Sequence, residues 1–259
     1  MTSPNPSRPV RRFFRVLLPL LALLLAFGIG LLWPTLHRPA LRLNQDSVYP
    51  GARARASWSE ADGGVIDVRP ETGQAHTLLV LYPGGLVRPQ AYQWLGTALA
   101  PLGVETVIVR FPLDLAVLGT GRADAVIRRY GAGKTVYLAG HSLGGAMAAQ
   151  YVSGHAGQVA GLILMGAYPA GNVSLKSQTT LRVLDLMGEH DEVAKASAVQ
   201  DGLTRLPAQT RLVTVRGSVH SFFGRYGPQA GDGPPTMTHA QAEAQIVAEI
   251  RAFLLGQQK

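Results

Sequence analysis

From residue 77 onward, short unbroken apolar runs alternate with segments whose apolar positions recur every three or four residues. The unbroken runs read as buried strands: Thr77–Tyr82, Val104–Arg110, Thr135–Ala139, Val159–Met165, Leu181–Met187 and Arg211–Val215. The periodic segments read as helices: Gln90–Ala100, Gly121–Tyr130, Gly144–Gly154, Glu192–Leu203 and His239–Leu255. Strands apolar on both faces, alternating with such helices, imply an α/β fold with a mostly parallel sheet covered by helices on both sides. Upstream, two short alternating runs flank Asp62-Gly63-Gly64, which reads as a hairpin, so residues 46–70 are expected to form one or two edge strands. No period repeats along the chain.

The N-terminal pattern is different. Residues 16–33, VLLPLLALLLAFGIGLLW, carry no charge. As a helix they would span roughly 27 Å, close to the hydrocarbon thickness of a bilayer. Residues 1–15 hold Arg8, Arg11, Arg12 and Arg15 and no acid, which predicts a cytoplasmic tail by the positive-inside rule. The expected organisation is a basic tail (1–15), a transmembrane signal anchor (16–33), a linker (34–45) and one globular domain (46–259) lying outside the cytoplasm. Cleavage as a signal peptide, giving a secreted domain, is the alternative. The apolar run exceeds the usual signal-peptide core, and residues 34–40 lack a small-x-small site, which favours the anchor.

Composition narrows the chemistry. Half of the net charge of +8 comes from those four arginines, and no basic cluster with interleaved aromatics follows, which argues against a nucleic-acid partner. The chain has no cysteine, so disulfides, thiolate metal sites and a cysteine nucleophile are excluded.

In a parallel sheet the chemistry belongs beyond the carboxyl ends of the strands. Gly140-His141-Ser142-Leu143-Gly144-Gly145 lies between an apolar strand and a helix, the context a G-x-S-x-G nucleophile elbow requires. The small residues two before and two after Ser142 fit the crowding of such a turn, and the helix N-terminus favours developing negative charge. A glycine turn in an unrelated α/β protein is the plainer reading, and the residues beyond the later strands decide against it. After the strand ending at Met187 comes Gly188-Glu189-His190-Asp191, where Asp191 suits the acid that orients an imidazole; Glu189 and Asp114 are rivals, and Asp191 could also cap a helix. After the last strand comes His220, placed to act as base on Ser142. The six other histidines fit less well; His141 merely neighbours the nucleophile and His190 sits in the acid loop. Tyr82-Pro83-Gly84-Gly85, after the first regular strand, offers backbone N–H groups for an oxyanion.

On these residues the stretch from about Thr77 to Leu255 resembles the α/β-hydrolase superfamily. Within it, the chain is similar to the bacterial dienelactone-hydrolase-like group, the fifth α/β-hydrolase fold family. The narrower likeness rests on Tyr82-Pro83-Gly84-Gly85, Phe111-Pro112-Leu113-Asp114-Leu115-Ala116, Gly140 to Gly145, Tyr168-Pro169, and above all Tyr226-Gly227-Pro228-Gln229-Ala230-Gly231-Asp232-Gly233. Dienelactone hydrolases proper use cysteine where this chain has Ser142, so their particular reaction is not carried over.

The resemblance implies acyl transfer to water. His220 deprotonates Ser142, Asp191 orients His220, and the oxyanion takes N–H bonds from Leu143 and from Gly84 or Gly85. No cofactor, metal or protein partner is implied; the partners expected are a small-molecule acyl substrate and, through residues 16–33, a membrane. Only residues 166–180 separate two strands where many relatives insert a helical cap, so no large cap is expected. Leu113, Tyr168 and Phe222 are candidate substrate-lining residues. The leading expectation is a membrane-anchored serine hydrolase of carboxylesterase type. A serine acyltransferase and a non-catalytic binding protein are the alternatives.

Overall fold

The computed structural model describes residues 17–30 and 53–256. Residues 17–30 form helix α1 and fall in a compact unit separate from the one that holds the rest. Its side chains at Leu18, Leu20, Leu21, Leu23, Leu24, Leu25, Phe27 and Ile29 are all exposed. Among the described residues no helix is long and apolar enough to cross a membrane. The remainder of the 16–33 segment, the tail and the 34–45 linker lie outside the described residues.

The second unit is built on an eight-stranded sheet, β1 (Ala54–Ser59), β2 (Val65–Pro70), β3 (Thr77–Tyr82), β4 (Val104–Val109), β5 (Thr135–His141), β6 (Gly161–Met165), β7 (Arg182–Gly188) and β8 (Arg211–Val215), in the order β1-β2-β4-β3-β5-β6-β7-β8. β1 pairs antiparallel with β2 and β2 with β4; every other pairing is parallel. The helices are α2 (Gln93–Leu99), α3 (Arg122–Tyr130), α4 (Leu143–Gly154), α5 (Ala196–Leu203) and α6 (His239–Leu254).

The period of two along each strand divides the core between the faces of the sheet. Leu78, Val80 and Tyr82 of β3 point with Leu138, Leu162 and Leu164 toward Ala123 and Val126 of α3 and Ala148 and Val152 of α4. Leu79 and Leu81 point the other way with Ala139, Ile163, Leu184 and Leu186, toward Trp94, Leu95 and Leu99 of α2 and Ala242, Ile246 and Ile250 of α6. Each large side chain so buried contributes roughly 1.5–3 kcal/mol. The start of α6 is fixed locally: the Thr238 hydroxyl accepts the Gln241 N–H, and the Gln241 side chain accepts the Thr238 N–H at 2.9 Å.

Two expected boundaries move. The hairpin between β1 and β2 turns through a single 3-10 turn, Ala61–Gly63, and β2 is an interior strand with neighbours on both sides. The helix expected from Glu192 begins only at Ala196, because the Asp191 side chain folds residues 192–195 into a turn. Residues 166–181, between β6 and β7, contain turns and no helix.

Candidate active site

β5 delivers the chain to Ser142 at the carboxyl edge of the sheet. Ser142 sits at φ 51°, ψ −124°, a conformation that costs an L-residue about 1–3 kcal/mol. The neighbouring residues can only be very small. A Cβ on Gly140 would stand 2.5 Å from the Gly144 carbonyl, and one on Gly144 would stand 2.3 Å from the carbonyl oxygens of Tyr82 and Pro83. The turn brings the N–H of Leu143, the first residue of α4, beside the side chain it must serve.

β7 and β8 supply the other two groups. The Asp191 carboxylate is fully used: Oδ1 accepts the N–H groups of Val193 (2.9 Å) and Ala194 (2.7 Å), and Oδ2 accepts from His220 Nδ1 at 2.8 Å. Both side chains are buried, 0% and 1% exposed, so solvent does not compete for this bond. With its proton held on Nδ1, the imidazole carries its lone pair on Nε2, which is buried and bonded to no protein atom among the described residues. Ser142 lies next to this pair through the backbone. Its N–H bonds the Met165 carbonyl at 3.0 Å, and a Cβ on the following Gly166 would come within 3.0 Å of both Asp191 Oδ2 and His220 Nδ1. No hydrogen bond joins Ser142 Oγ to Nε2.

The glycine pair after β3 divides its work. The Gly84 N–H donates to the Tyr92 hydroxyl at 2.9 Å, and that hydroxyl donates in turn to His141 Nδ1 at 2.7 Å. Gly84 therefore secures the loop and is withdrawn as an oxyanion donor. Gly85 adjoins Leu143, since a Cβ on it would meet the Leu143 Cβ at 3.5 Å. Among the described residues no protein acceptor takes the N–H of Gly85 or of Leu143, which leaves these two as the available pair.

Of the expected lining residues, Leu113 is half exposed on a turn with φ 53°. Tyr168 packs instead against Met187, Ala194 and Val199 near α5. Phe222 packs edge-on against His239 and walls a separate cavity of about 600 Å³ beneath residues 225–235. The rival acids take other partners: the Glu189 side chain accepts the Gly217 N–H at 2.7 Å, and Asp114 lies in the loop whose carbonyl accepts the Leu86 N–H at 2.8 Å.

Three residues of the site carry no strong signal in the sequence. His141 is fully buried, with its ring 4.6 Å from that of His220. Burial, and secondarily the neighbouring His220, hold its pKa well below the usual histidine range, so it stays neutral. Tyr92 bridges His141 to the glycine loop. Asp232, in the Gly/Pro-rich loop, accepts the backbone N–H groups of His220 (2.9 Å) and Ser221 (2.8 Å). His141 belongs to the elbow motif and Asp232 to the Gly/Pro-rich run that carries the narrower resemblance, but the local pattern assigns neither its partner.

Comparison with known proteins agrees with this geometry. The model of the alpha/beta hydrolase family matches residues 78–244. A predicted CIB-like hydrolase from Thermoplasma acidophilum, of known crystal structure, is similar over 78% of this chain and 99% of its own, with a TM-score of 0.55 and 18% identity, a likeness of fold. No curated protein matches the chain. A match running from β3 into α6, with the sheet order and the strained Ser142 turn, makes the chain a member of the alpha/beta hydrolase family.

Proposed function

We propose that this protein is a serine hydrolase that cleaves a carboxylic ester with an apolar acyl group, held at a membrane surface by its N-terminal helix. The observation that carries the reading is the Asp191–His220 pair: one carboxylate oxygen fixed by two backbone N–H groups, the other fixing Nδ1, and an Nε2 that is buried and bonded to no protein atom among the described residues.

In this reading His220 Nε2 takes the Ser142 proton as Oγ attacks the ester carbonyl. The imidazolium is stabilised by Asp191, and the tetrahedral oxyanion accepts N–H bonds from Leu143 and Gly85. Nε2 then gives the proton to the leaving alkoxide. Water, deprotonated by the same nitrogen, attacks the acyl-enzyme and releases the acid.

The apolar preference is supported by the rim. Leu86, Leu113, Val117 and Leu118 are 46–55% exposed, and the Leu86–Asp114 backbone bond ties their two loops together next to Gly85 in the chain. Membrane attachment is supported by α1, apolar on every side, and by the four arginines before it.

The test is turnover of a p-nitrophenyl ester series from acetate to decanoate by the full chain in detergent. The expected result is kcat/KM rising with acyl length in the wild type and no turnover by Ser142→Ala. Turnover of charged, polar esters alone would refute the apolar preference, and activity retained by Ser142→Ala would refute the nucleophile.

A further inference from the structure

His220 opens a single 3-10 turn, His220–Phe223, whose preceding residue Val219 provides no side-chain cap. The first N–H groups of such a turn need acceptors from elsewhere. Asp232 supplies both, Oδ1 to His220 and Oδ2 to Ser221, and Oδ1 also takes the Gly233 N–H at 3.0 Å.

The loop that carries Asp232 is anchored on the elements around the site. The Arg225 N–H bonds the Ala91 carbonyl at 2.7 Å, and the Arg225 guanidinium pairs with buried Glu243 of α6. The Thr236 N–H bonds the Gly217 carbonyl at 3.0 Å, and its hydroxyl lies 3.3 Å from His190 Nε2. A Cβ on Gly233 would stand 2.1 Å from the His190 carbonyl, so the chain beside Asp232 is seated directly on the acid loop.

We infer that Asp232 is a positioning residue for the base, fixing the His220 backbone while Asp191 fixes its ring. The inference rests on His220 being the base. An imidazole held at Nδ1 alone can still swing with its backbone; held at the backbone as well, Nε2 has one place to be. Asp232 also walls the cavity of about 600 Å³, so water can reach the two N–H groups when the carboxylate is removed. Its loss is therefore expected to loosen His220 without unfolding the domain.

The experiment uses the full chain in detergent, with Asp232→Ala and Asp232→Asn. Three quantities are read: the far-downfield proton resonance of the His220–Asp191 hydrogen bond, the saturating rate and half-saturation concentration of fluorophosphonate labelling, and the melting temperature. In Asp232→Ala the resonance should broaden or vanish and the saturating rate fall about 10²-fold, the scale set by small misplacements of catalytic groups. The half-saturation concentration should be unchanged and melting still cooperative. Asp232→Asn keeps an oxygen for His220 and Gly233 but offers Ser221 no acceptor, so it should lie between, with the resonance kept. Should Asp232→Ala fail to fold, Asp232→Asn carries the test through the labelling rate alone: a saturating rate below the wild type's with an unchanged half-saturation concentration upholds the inference, and a wild-type rate overturns it. Wild-type resonance and rate in both variants would overturn the inference. A resonance that responds to Asp232 in a protein that the probe does not label would uphold the positioning role and overturn the serine hydrolase reading instead.

Discussion

Asp191 meets two demands with two oxygens, and that division predicts how it fails. In Asp191→Asn the amide oxygen is the only acceptor left for Val193 and Ala194, so the NH2 group must face His220 Nδ1. The proton moves to Nε2, the wrong tautomer for a base. Ester turnover should fall about 10⁴-fold, while urea unfolding shifts little; a loss below tenfold would show that Asp191 does not set the tautomer. Tyr92→Phe should behave differently. It removes the acceptor of the Gly84 N–H and the donor to His141 Nδ1, both buried, and should cost about 1–3 kcal/mol of stability by denaturant unfolding. The positions of Ser142 at the turn after β5 and of the bonded Asp191 and His220 after β7 and β8 were legible in the sequence because each follows its own strand. Tyr92 and Asp232 were not, because each acts on main-chain atoms distant in sequence. The sequence left the second donor open between Gly84 and Gly85, and the tertiary contact of Gly84 with Tyr92 separates them.

Strands β3 to β7 were legible because a strand largely buried on both faces leaves a mostly apolar run, whereas β8, Arg211–Val215, is only partly buried and was legible from its short β-branched stretch. The order of the sheet was not, since no local pattern says that β2 enters between β1 and β4. That insertion has an electrostatic cost. It places Asp67 of β2, nearly buried, beside β4, where Glu105 is paired with Lys134 at 2.7 Å. Burial, then the Glu105 charge, raise the Asp67 pKa from 3.8 to about 7. A folded-state pKa raised above the unfolded value stabilises fully below the unfolded pKa and loses that contribution as pH climbs through the folded one. Wild type should therefore lose stability between about pH 4 and pH 7 relative to Asp67→Asn, by at most about 4 kcal/mol for a three-unit shift. Melting curves of the two proteins should converge near pH 4 and separate, with Asp67→Asn higher, at pH 8. Parallel curves across that range would show that Asp67 stays paired when ionised. The late start of α5 has a related origin: Asp191, read as a possible cap for a helix at Glu192, caps a turn instead because its other oxygen is committed to His220.

At the scale of the molecule, a basic tail and an apolar helix precede a hydrolase-family domain in which exposed Leu86 adjoins Gly85 and bonds through its N–H to the loop that carries exposed Leu113. Leu21→Arg with Leu24→Arg puts two charges on α1, at about 2.5–3.5 kcal/mol each for a membrane-centred helix. The doubly substituted chain should leave the membrane fraction for the soluble one and keep its turnover of short water-soluble esters. Unchanged membrane fractionation would contradict anchoring by α1. Activation of Ser142 by His220 is read out by fluorophosphonate labelling of the wild type, Ser142→Ala and His220→Ala, with the modified residue located by peptide mass spectrometry. One adduct, on Ser142, is expected in the wild type and none in either variant. A folded wild type that takes no label, or an adduct on another residue, would contradict that activation.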